Sequence, residues 1–446
     1  MHRPFTVAVG RITAAAGRIT AVPGRPRRLA SLAADVAVVG GGVYVSYGAL
    51  FLVGVLVNRT LGTAELGRYG VALAVGQIAV LSVTDGFSAV LKRDVAVAPA
   101  RVAEITGTFV ALKSAAALVL YGGVCAAAVA GWVAGAVPAR FALTLAVVGA
   151  AVVAETLGRT FPDALQAAGD NRTFSAVLAG GAAVLLACVG GALWGGAGAL
   201  AAYGALLAAR LVGAAGSAAV FRRVAGRTSV RLRRADVRRI AIESWPLVVN
   251  GLVFVASARA GTLVLARYAD AEAVGVFTVA SSIVAGVAMV ASSAGIVLFP
   301  VLCREHESGG RRLRAILYMS TVGMALLGAC AVGVLRLCEP LVPAVFGVLP
   351  PDAIPVLRLL SLGLVPIFAS VTAGYLFTAI GQQRDGMVYS FVQAAVTVTL
   401  LVVLTRLTGV MGAAAAVVVS QAVMLVVAVV WLDVRHLAGH YPVGRR

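Results

Sequence analysis

Apolar stretches long enough to cross a lipid bilayer recur along almost the whole chain, from about Val36 to Val434. About 20 helical residues cover a hydrocarbon core of roughly 30 Å. The predicted spans lie at residues 36–57, 70–92, 107–131, 141–158, 174–194, 197–221, 242–267, 276–300, 315–337, 355–379, 388–406 and 410–434. The pattern predicts an all-α polytopic membrane protein with about 12 transmembrane helices.

Composition supports this fold class. Of 446 residues, 61% are hydrophobic and only 12% are charged, and the mean hydropathy is +0.98. A soluble domain carries about 25% charged residues, so this chain has too little polar surface to cover itself in water. Glycine is abundant, at 51 residues, and small residues let helices pack closely in lipid.

The net charge of +19 has its origin in arginines that lie between the spans, which favours topology over nucleic-acid binding. If both termini are cytoplasmic, the basic residues collect on the cytoplasmic side of an inner (plasma) membrane. That side holds the arginines of the N-terminal tail and Lys92, Arg93, Arg101, Arg222, Arg223, Arg227, Arg231, Arg233, Arg234, Arg238, Arg239, Arg304, Arg311, Arg312 and Arg314. The external side holds far fewer, including Arg59, Arg68, Arg140 and Arg267. An odd number of spans would break this alternation.

A basic loop divides the chain into two halves. The predicted units are a basic cytoplasmic tail (1–33), an N-lobe (34–221), a basic cytoplasmic inter-lobe loop (222–241), a C-lobe (242–434) and a cytoplasmic C-terminal tail (435–446). Residues 64–72 and 271–280 both read Ala-Glu and then Gly-x-aromatic-x-Val-Ala, with one residue inserted in the second copy. Both copies follow an odd-numbered span, so the halves are predicted to be parallel repeats with a site between them.

Enzymatic chemistry has no visible basis in the sequence. No loop exceeds about 20 residues, no phosphate-binding GxxxxGKS loop is present, and neither a cofactor nor a metal site is predicted. The five cysteines are interpreted as small apolar residues, and His436 and His440 as part of a solvated tail.

Charged residues inside predicted spans are costly and are therefore candidates for function. Asp85 in the second span shares a helical face with Ser82 and Ser88, and Lys113 in the third span lies at a comparable depth. Glu155 is predicted near the inner end of the fourth span. Two interpretations stay open for Asp85, Lys113 and Glu155. One is structural, as ion pairs or snorkelling side chains, with Asp85 and Lys113 forming one pair; the other is functional, with Asp85 and Glu155 in ion coupling and Lys113 in substrate binding.

Arg210 and Arg259 lie deep in the sixth and seventh predicted spans, with no acidic residue evident at their depth. An arginine there needs water or an anion, and its planar fork suits phosphate. Both are predicted to bind substrate.

Several short motifs resemble a known family in their order and spacing. They are residues 58–69 (Asn-Arg-Thr-Leu-Gly-Thr-Ala-Glu-Leu-Gly-Arg-Tyr), Asp85-Gly86, Ser244-Trp245-Pro246-Leu247, Glu272-x-x-Gly275-x-Phe277 and Leu298-Phe299-Pro300. Together they resemble polysaccharide and O-antigen flippases of the multidrug/oligosaccharidyl-lipid/polysaccharide exporter superfamily. The resemblance implies two six-helix lobes around a central cavity that opens to one side at a time.

The resemblance also implies a function, which is to move an undecaprenyl-pyrophosphate-linked oligosaccharide from the inner to the outer leaflet. Cationic cavity residues would meet the pyrophosphate, and Arg59 and Lys113 join Arg210 and Arg259 as candidates. The expected partners are the lipid-linked oligosaccharide, the membrane and glycosyltransferases or a polymerase of the same pathway, with no nucleic acid. Two alternatives are a cation-coupled multidrug antiporter, with Asp85 as the coupling carboxylate, and a non-transporting scaffold of an envelope assembly.

Overall fold

The protein is a bundle of long helices. The computed structural model describes residues 26–230, 233–308 and 312–437. Its α-helices are α1 Pro26–Leu61, α2 Thr63–Gly76, α3 Ser82–Val97, α4 Val102–Val133, α5 Ala139–Ala167, α6 Asn171–Trp194, α7 Ala199–Ala225, α8 Arg234–Tyr268, α9 Ala271–Glu307, α10 Leu313–Cys338, α11 Leu341–Phe346, α12 Ala353–Leu362, α13 Leu364–Ala379 and α14 Gln383–Leu432. A π-helical segment, Gln77–Leu81, joins α2 to α3.

Within the described residues the helices make twelve membrane crossings, which confirms the predicted number. Eleven helical segments there are long and apolar enough to cross a bilayer. The last of them contains two crossings, because the backbone of α14 leaves helical geometry at Thr408 and at Gly409, where φ is +62°. The Tyr389 hydroxyl donates a 3.2 Å hydrogen bond to the Met424 carbonyl oxygen. The two halves of α14 are therefore an antiparallel hairpin.

Helix ends are set by local chemistry at several points. Asp170 and Asp270 cap α6 and α9, where their carboxylates accept hydrogen bonds from the backbone N–H groups of Thr173 and Ala273. Such caps satisfy donors that the first turn of a helix leaves free. Gly226 follows α7 with φ of +87°, a backbone conformation that side chains with a Cβ rarely adopt.

The twelve crossings form two six-helix lobes around a central cavity. In the first lobe α5 packs against α7, and α1 against α6; in the second, α10 packs against α13, which packs against α14. The lobes meet where α2 packs against α9 and where α3 packs against α8. We call the end of the bundle that carries the α7–α8 connection the basic end, and the other end the opposite end.

The fourth crossing is longer than its sequence predicted. It was expected to end at residue 158, but α5 continues through Pro162 to Ala167. Asp163, which interrupts the apolar pattern, is buried and forms an ion pair with Lys92 at 3.1 Å. Glu155 consequently lies near the middle of the crossing and not near its inner end, so that part of the prediction was wrong.

The predicted tails and loop are partly helical. Helix α1 begins at Pro26, inside the predicted N-terminal tail, while residues 1–25 lie outside the described part of the chain. Helix α7 runs through Ala225 and α8 begins at Arg234, which leaves a connection shorter than the predicted 222–241.

At the opposite end, a hydrogen bond from Arg358 lowers the pKa of the Glu339 carboxyl below its ordinary value.

Candidate functional site

Arg210 has an acidic partner that the sequence did not reveal. Its Nη2 atom lies 3.2 Å from Oε2 of Glu155, and both side chains keep some exposure, 19% for Arg210 and 31% for Glu155. The expectation that no carboxylate lies at the depth of Arg210 was therefore wrong. It failed because the fourth crossing was drawn too short, which placed Glu155 at a different depth.

Close packing of α5 and α7 brings this pair together. A methyl group on Gly158 would lie 2.8 Å from Cα of Ala214, so the glycine is needed where the helix axes approach. Gly158 lies about one turn from Glu155, and Ala214 about one turn from Arg210. The ion pair thus belongs to the tightest part of this helix contact.

Arg259 is held by a residue of the other lobe. Its Nε donates a 2.7 Å hydrogen bond to Oε1 of Gln77. Gln77 is the first residue of the π-helical segment Gln77–Leu81, and π-turns inside α-helices are frequent at functional sites. In the sequence Gln77 is a neutral residue in the same predicted span as Asp85, and no sequence pattern marks the π-segment.

Tyr69 lies among these groups. Its ring stacks on that of Tyr203, with centroids 5.7 Å apart, and its side chain is buried. Its hydroxyl has no hydrogen-bond partner among the described residues, yet it lies within electrostatic range of Arg210, Glu155 and Arg259. Sequence reasoning did not select Tyr69 as a site residue, although it stands in the repeated motif at residues 64–72.

We call Tyr69, Gln77, Glu155, Arg210 and Arg259 the central cluster. Both lobes contribute to it. Two arginines against one glutamate leave an excess of one positive charge, and a buried phenol and an amide add polar groups. Such a set suits an anion with several oxygen atoms. No group of three or more His, Cys, Asp or Glu side chains within the described ranges could hold a metal ion.

Lys113 is buried between three helices of the first lobe. It is 1% exposed, and its Nζ donates to Ser88 Oγ at 2.6 Å and Thr160 Oγ1 at 3.3 Å. In this arrangement Lys113 crosslinks the second, third and fourth crossings. The side chain of Asp85 lies outside the described residues, so the predicted Asp85–Lys113 ion pair stays a prediction.

Arg59 lies at the opposite end, where α1 ends. Its side chain is exposed and is a neighbour of Gly347. The adjacent Asn58 is buried and donates from Nδ2 to the Phe346 carbonyl oxygen at 2.9 Å. The structure therefore does not bring Arg59 into the central cluster.

Ion pairs connect the lobes at the basic end. Arg93 contacts Glu243, and Nη2 of Arg239 lies 2.9 Å from Oδ2 of Asp94. These four side chains, on α3 and α8, are here called the basic-end network. Three of them, Arg93, Asp94 and Arg239, line a cavity of about 350 Å³ between the lobes, together with Arg101.

Comparison with solved structures supports a transporter fold. An inward-facing multidrug resistance transporter of the MATE family, which belongs to the MOP superfamily, matches with a TM-score of 0.73 and 17% identity, over 90% of this chain and 96% of that one. The lipid II flippase MurJ in an inward closed conformation matches with a TM-score of 0.65 and 11% identity, over 89% and 87%. An outward-facing MATE transporter gives a TM-score of 0.59 and 16% identity, over 92% and 96%.

The sequence itself matches a family. Among curated protein sequences, none matches the chain significantly. The profile of the family described as "Polysaccharide biosynthesis protein" matches residues 32–306, which is more than half of the chain. The chain therefore belongs to the polysaccharide biosynthesis protein family and is a multi-pass membrane protein with the fold of these MATE and MurJ transporters.

Proposed function

We propose that this protein moves a polyprenyl-pyrophosphate-linked oligosaccharide from the inner to the outer leaflet of the plasma membrane, with Arg210 and Arg259 binding the pyrophosphate. One observation carries the proposal. The two arginines belong to different lobes, yet each is held by a side chain of the first lobe, Arg210 by Glu155 at 3.2 Å and Arg259 by Gln77 at 2.7 Å. An anion between the lobes would meet both guanidinium groups.

Electrostatics gives the physical reason for such a site. A pyrophosphate that enters a low-dielectric region loses much of its water, at a cost of many kcal/mol if nothing replaces that water. Fixed arginines in a wet cavity reduce this barrier because they stay charged and each can bind two oxygen atoms. The polyprenyl chain meanwhile can stay in lipid, where its apolar surface is already favourably placed.

Alternating access requires that the two ends of the cavity open in turn. At the basic end the lobes are joined by charged side chains, the basic-end network, which water can solvate when the lobes separate. At the opposite end they are joined by glycine contacts between α2 and α9. In the proposed orientation the basic end and both termini are cytoplasmic, which is the side where glycosyltransferases would supply the cargo. Transport rather than catalysis is therefore the proposed role.

The test is export of surface polysaccharide in cells whose own gene is replaced by variants. Arg210→Ala and Arg259→Ala should each reduce export, and the double variant should abolish it. Arginine-to-lysine changes should retain part of the activity, because the positive charge remains but lysine lacks the planar fork that binds two phosphate oxygen atoms. Arg140→Ala is the matched control, because Arg140 is exposed at the opposite end.

Protein abundance in the membrane must be equal across the variants. Full export by the double alanine variant would contradict the proposal. The cation-coupled antiporter and the scaffold would then be the remaining functions, and drug efflux would separate them.

A further inference from the structure

The Arg210–Glu155 pair has a looser geometry than the two-point ion pairs of this chain. Its closest contact joins Nη2 to Oε2 at 3.2 Å. Arg314, in contrast, contacts Asp433 through two atoms, Nε at 2.7 Å and Nη2 at 2.8 Å. A two-point pair uses the whole guanidinium fork, whereas a one-point pair leaves part of the fork open to another oxygen-rich anion.

The pair is also accessible. The Glu155 side chain is 31% exposed. Asp163, which lies on the same helix as Glu155 and pairs with Lys92 of α3, is only 4% exposed. Asp163 is therefore locked into the packing of the first lobe. Glu155 has room to leave its partner, and an incoming anion has room to approach Arg210.

The charges of the arginines and of the cargo also match. A pyrophosphate that links a lipid to a sugar carries about two negative charges near neutral pH. Arg210 and Arg259 together match that charge only when Glu155 no longer occupies Arg210. A carboxylate and a phosphate compete for the same guanidinium, so one must displace the other.

We propose that Glu155 is an internal counter-ion that holds Arg210 while the cavity is empty and is displaced from it by the pyrophosphate of the cargo. This inference rests on the proposed function. With the cavity empty, the carboxylate spares Arg210 the cost of an unpaired charge in the membrane interior. The empty transporter can then return to the loading side. With cargo bound, the phosphate takes over this role, and Glu155 lowers the cargo affinity enough to permit release.

The test measures binding and transport separately. Wild-type protein, Glu155→Gln and Arg210→Ala are reconstituted in lipid nanodiscs and titrated with farnesyl pyrophosphate, with farnesol as the uncharged control probe. Removal of the competing carboxylate should tighten binding of the pyrophosphate about fivefold. Export in cells should nevertheless become slower. Without the carboxylate Arg210 has no counter-ion in the empty transporter, so the empty transporter returns more slowly to the loading side. Glu339→Gln is the matched control, since it removes a carboxylate from a distant pair with Arg358.

Tighter binding combined with slower export supports the inference, because a merely structural role would reduce both. Unchanged or weaker binding by Glu155→Gln overturns it and makes Glu155 a positioning residue for Arg210. If Glu155→Gln does not insert, Glu155→Ser removes the same carboxylate and carries the same expectation. Failure of the proposed function has a different signature: the wild type does not bind farnesyl pyrophosphate, and Arg210→Ala exports normally.

Discussion

Gly67 of α2 and Gly275 of α9 lie against each other across the boundary between the lobes. A methyl group on Gly67 would overlap the Ala271 carbonyl oxygen, and one on Gly275 would overlap the Thr63 carbonyl oxygen. The two glycines occupy matching places in the repeated motif. Their reciprocal contact is the arrangement that a two-fold relation between the repeats produces.

Gly67→Ala or Gly275→Ala should weaken this contact. Each added methyl group must push α2 and α9 apart, and overpacking of this kind costs roughly 1–3 kcal/mol. The thermal midpoint of the purified protein should fall, and export should fall with it. Gly204→Ala is the control, because a methyl group there meets no atom within 4 Å. Equal thermal midpoints for Gly67→Ala and Gly204→Ala would contradict the close contact.

Gln77→Glu should inactivate the transporter with little change in shape. The new carboxylate would lie where the amide oxygen now accepts the 2.7 Å hydrogen bond from Arg259. It would neutralise that arginine in a poorly solvated site, so export should drop by at least about tenfold. The same substitution at Gln393, which contacts Gln421 in the C-terminal hairpin, serves as the control. Normal export by Gln77→Glu would exclude Arg259 from the anion path.

Loss of the basic-end network should open that end. In the double variant Asp94→Asn/Glu243→Gln, both arginines lose their ionised partners and repel each other. A cysteine at Ile240, a position 1% exposed at the edge of the cavity, should then react faster with a water-soluble maleimide. The control protein carries the same cysteine and retains Asp94 and Glu243. The native cysteines are removed from both proteins. Equal labelling rates would mean that the ion pairs do not hold the lobes together.

Gly412→Ala should disrupt the C-terminal hairpin. The added methyl group would overlap the carbonyl oxygen of Leu404 on the preceding half of α14. The tight reversal at Thr408 and Gly409 leaves little room for adjustment, so the yield of monodisperse protein and its thermal midpoint should fall. Gly333→Ala, where a methyl group meets no atom within 4 Å, should behave as wild type. Wild-type stability of Gly412→Ala would argue against this packing of the last two crossings.

Topology has its own test. Reporter fusions after Arg446 and inside 226–230 should both report the cytoplasm, because an even number of crossings separates them. A fusion between α9 and α10 should agree with them, and one between α7 and α6, at residues 195–198, should report the outside. A split result for the first two fusions would overturn both the orientation and the parallel repeats.

Much of the architecture could be predicted from the order of the residues alone. The number of crossings follows because each apolar run must be long enough to span the bilayer and must form its hydrogen bonds within itself. The same logic separated Thr408-Gly409 as a turn between the last two crossings. The positions of Arg210 and Arg259 inside the membrane were also readable, since each stands within an apolar run.

The partners of these residues were decided only by the tertiary structure. Glu155 reaches Arg210 because α5 continues past its charged positions and packs on α7 at Gly158, and neither fact has a periodic signature. Arg259 reaches Gln77 because a π-helical segment and the contact between two lobes place them together, although they are 182 positions apart. The pattern of apolar residues indicates which segments lie in lipid as helices. The contacts between charged side chains depend on the rotation of each helix about its axis and on its depth in the membrane. Packing between helices sets both.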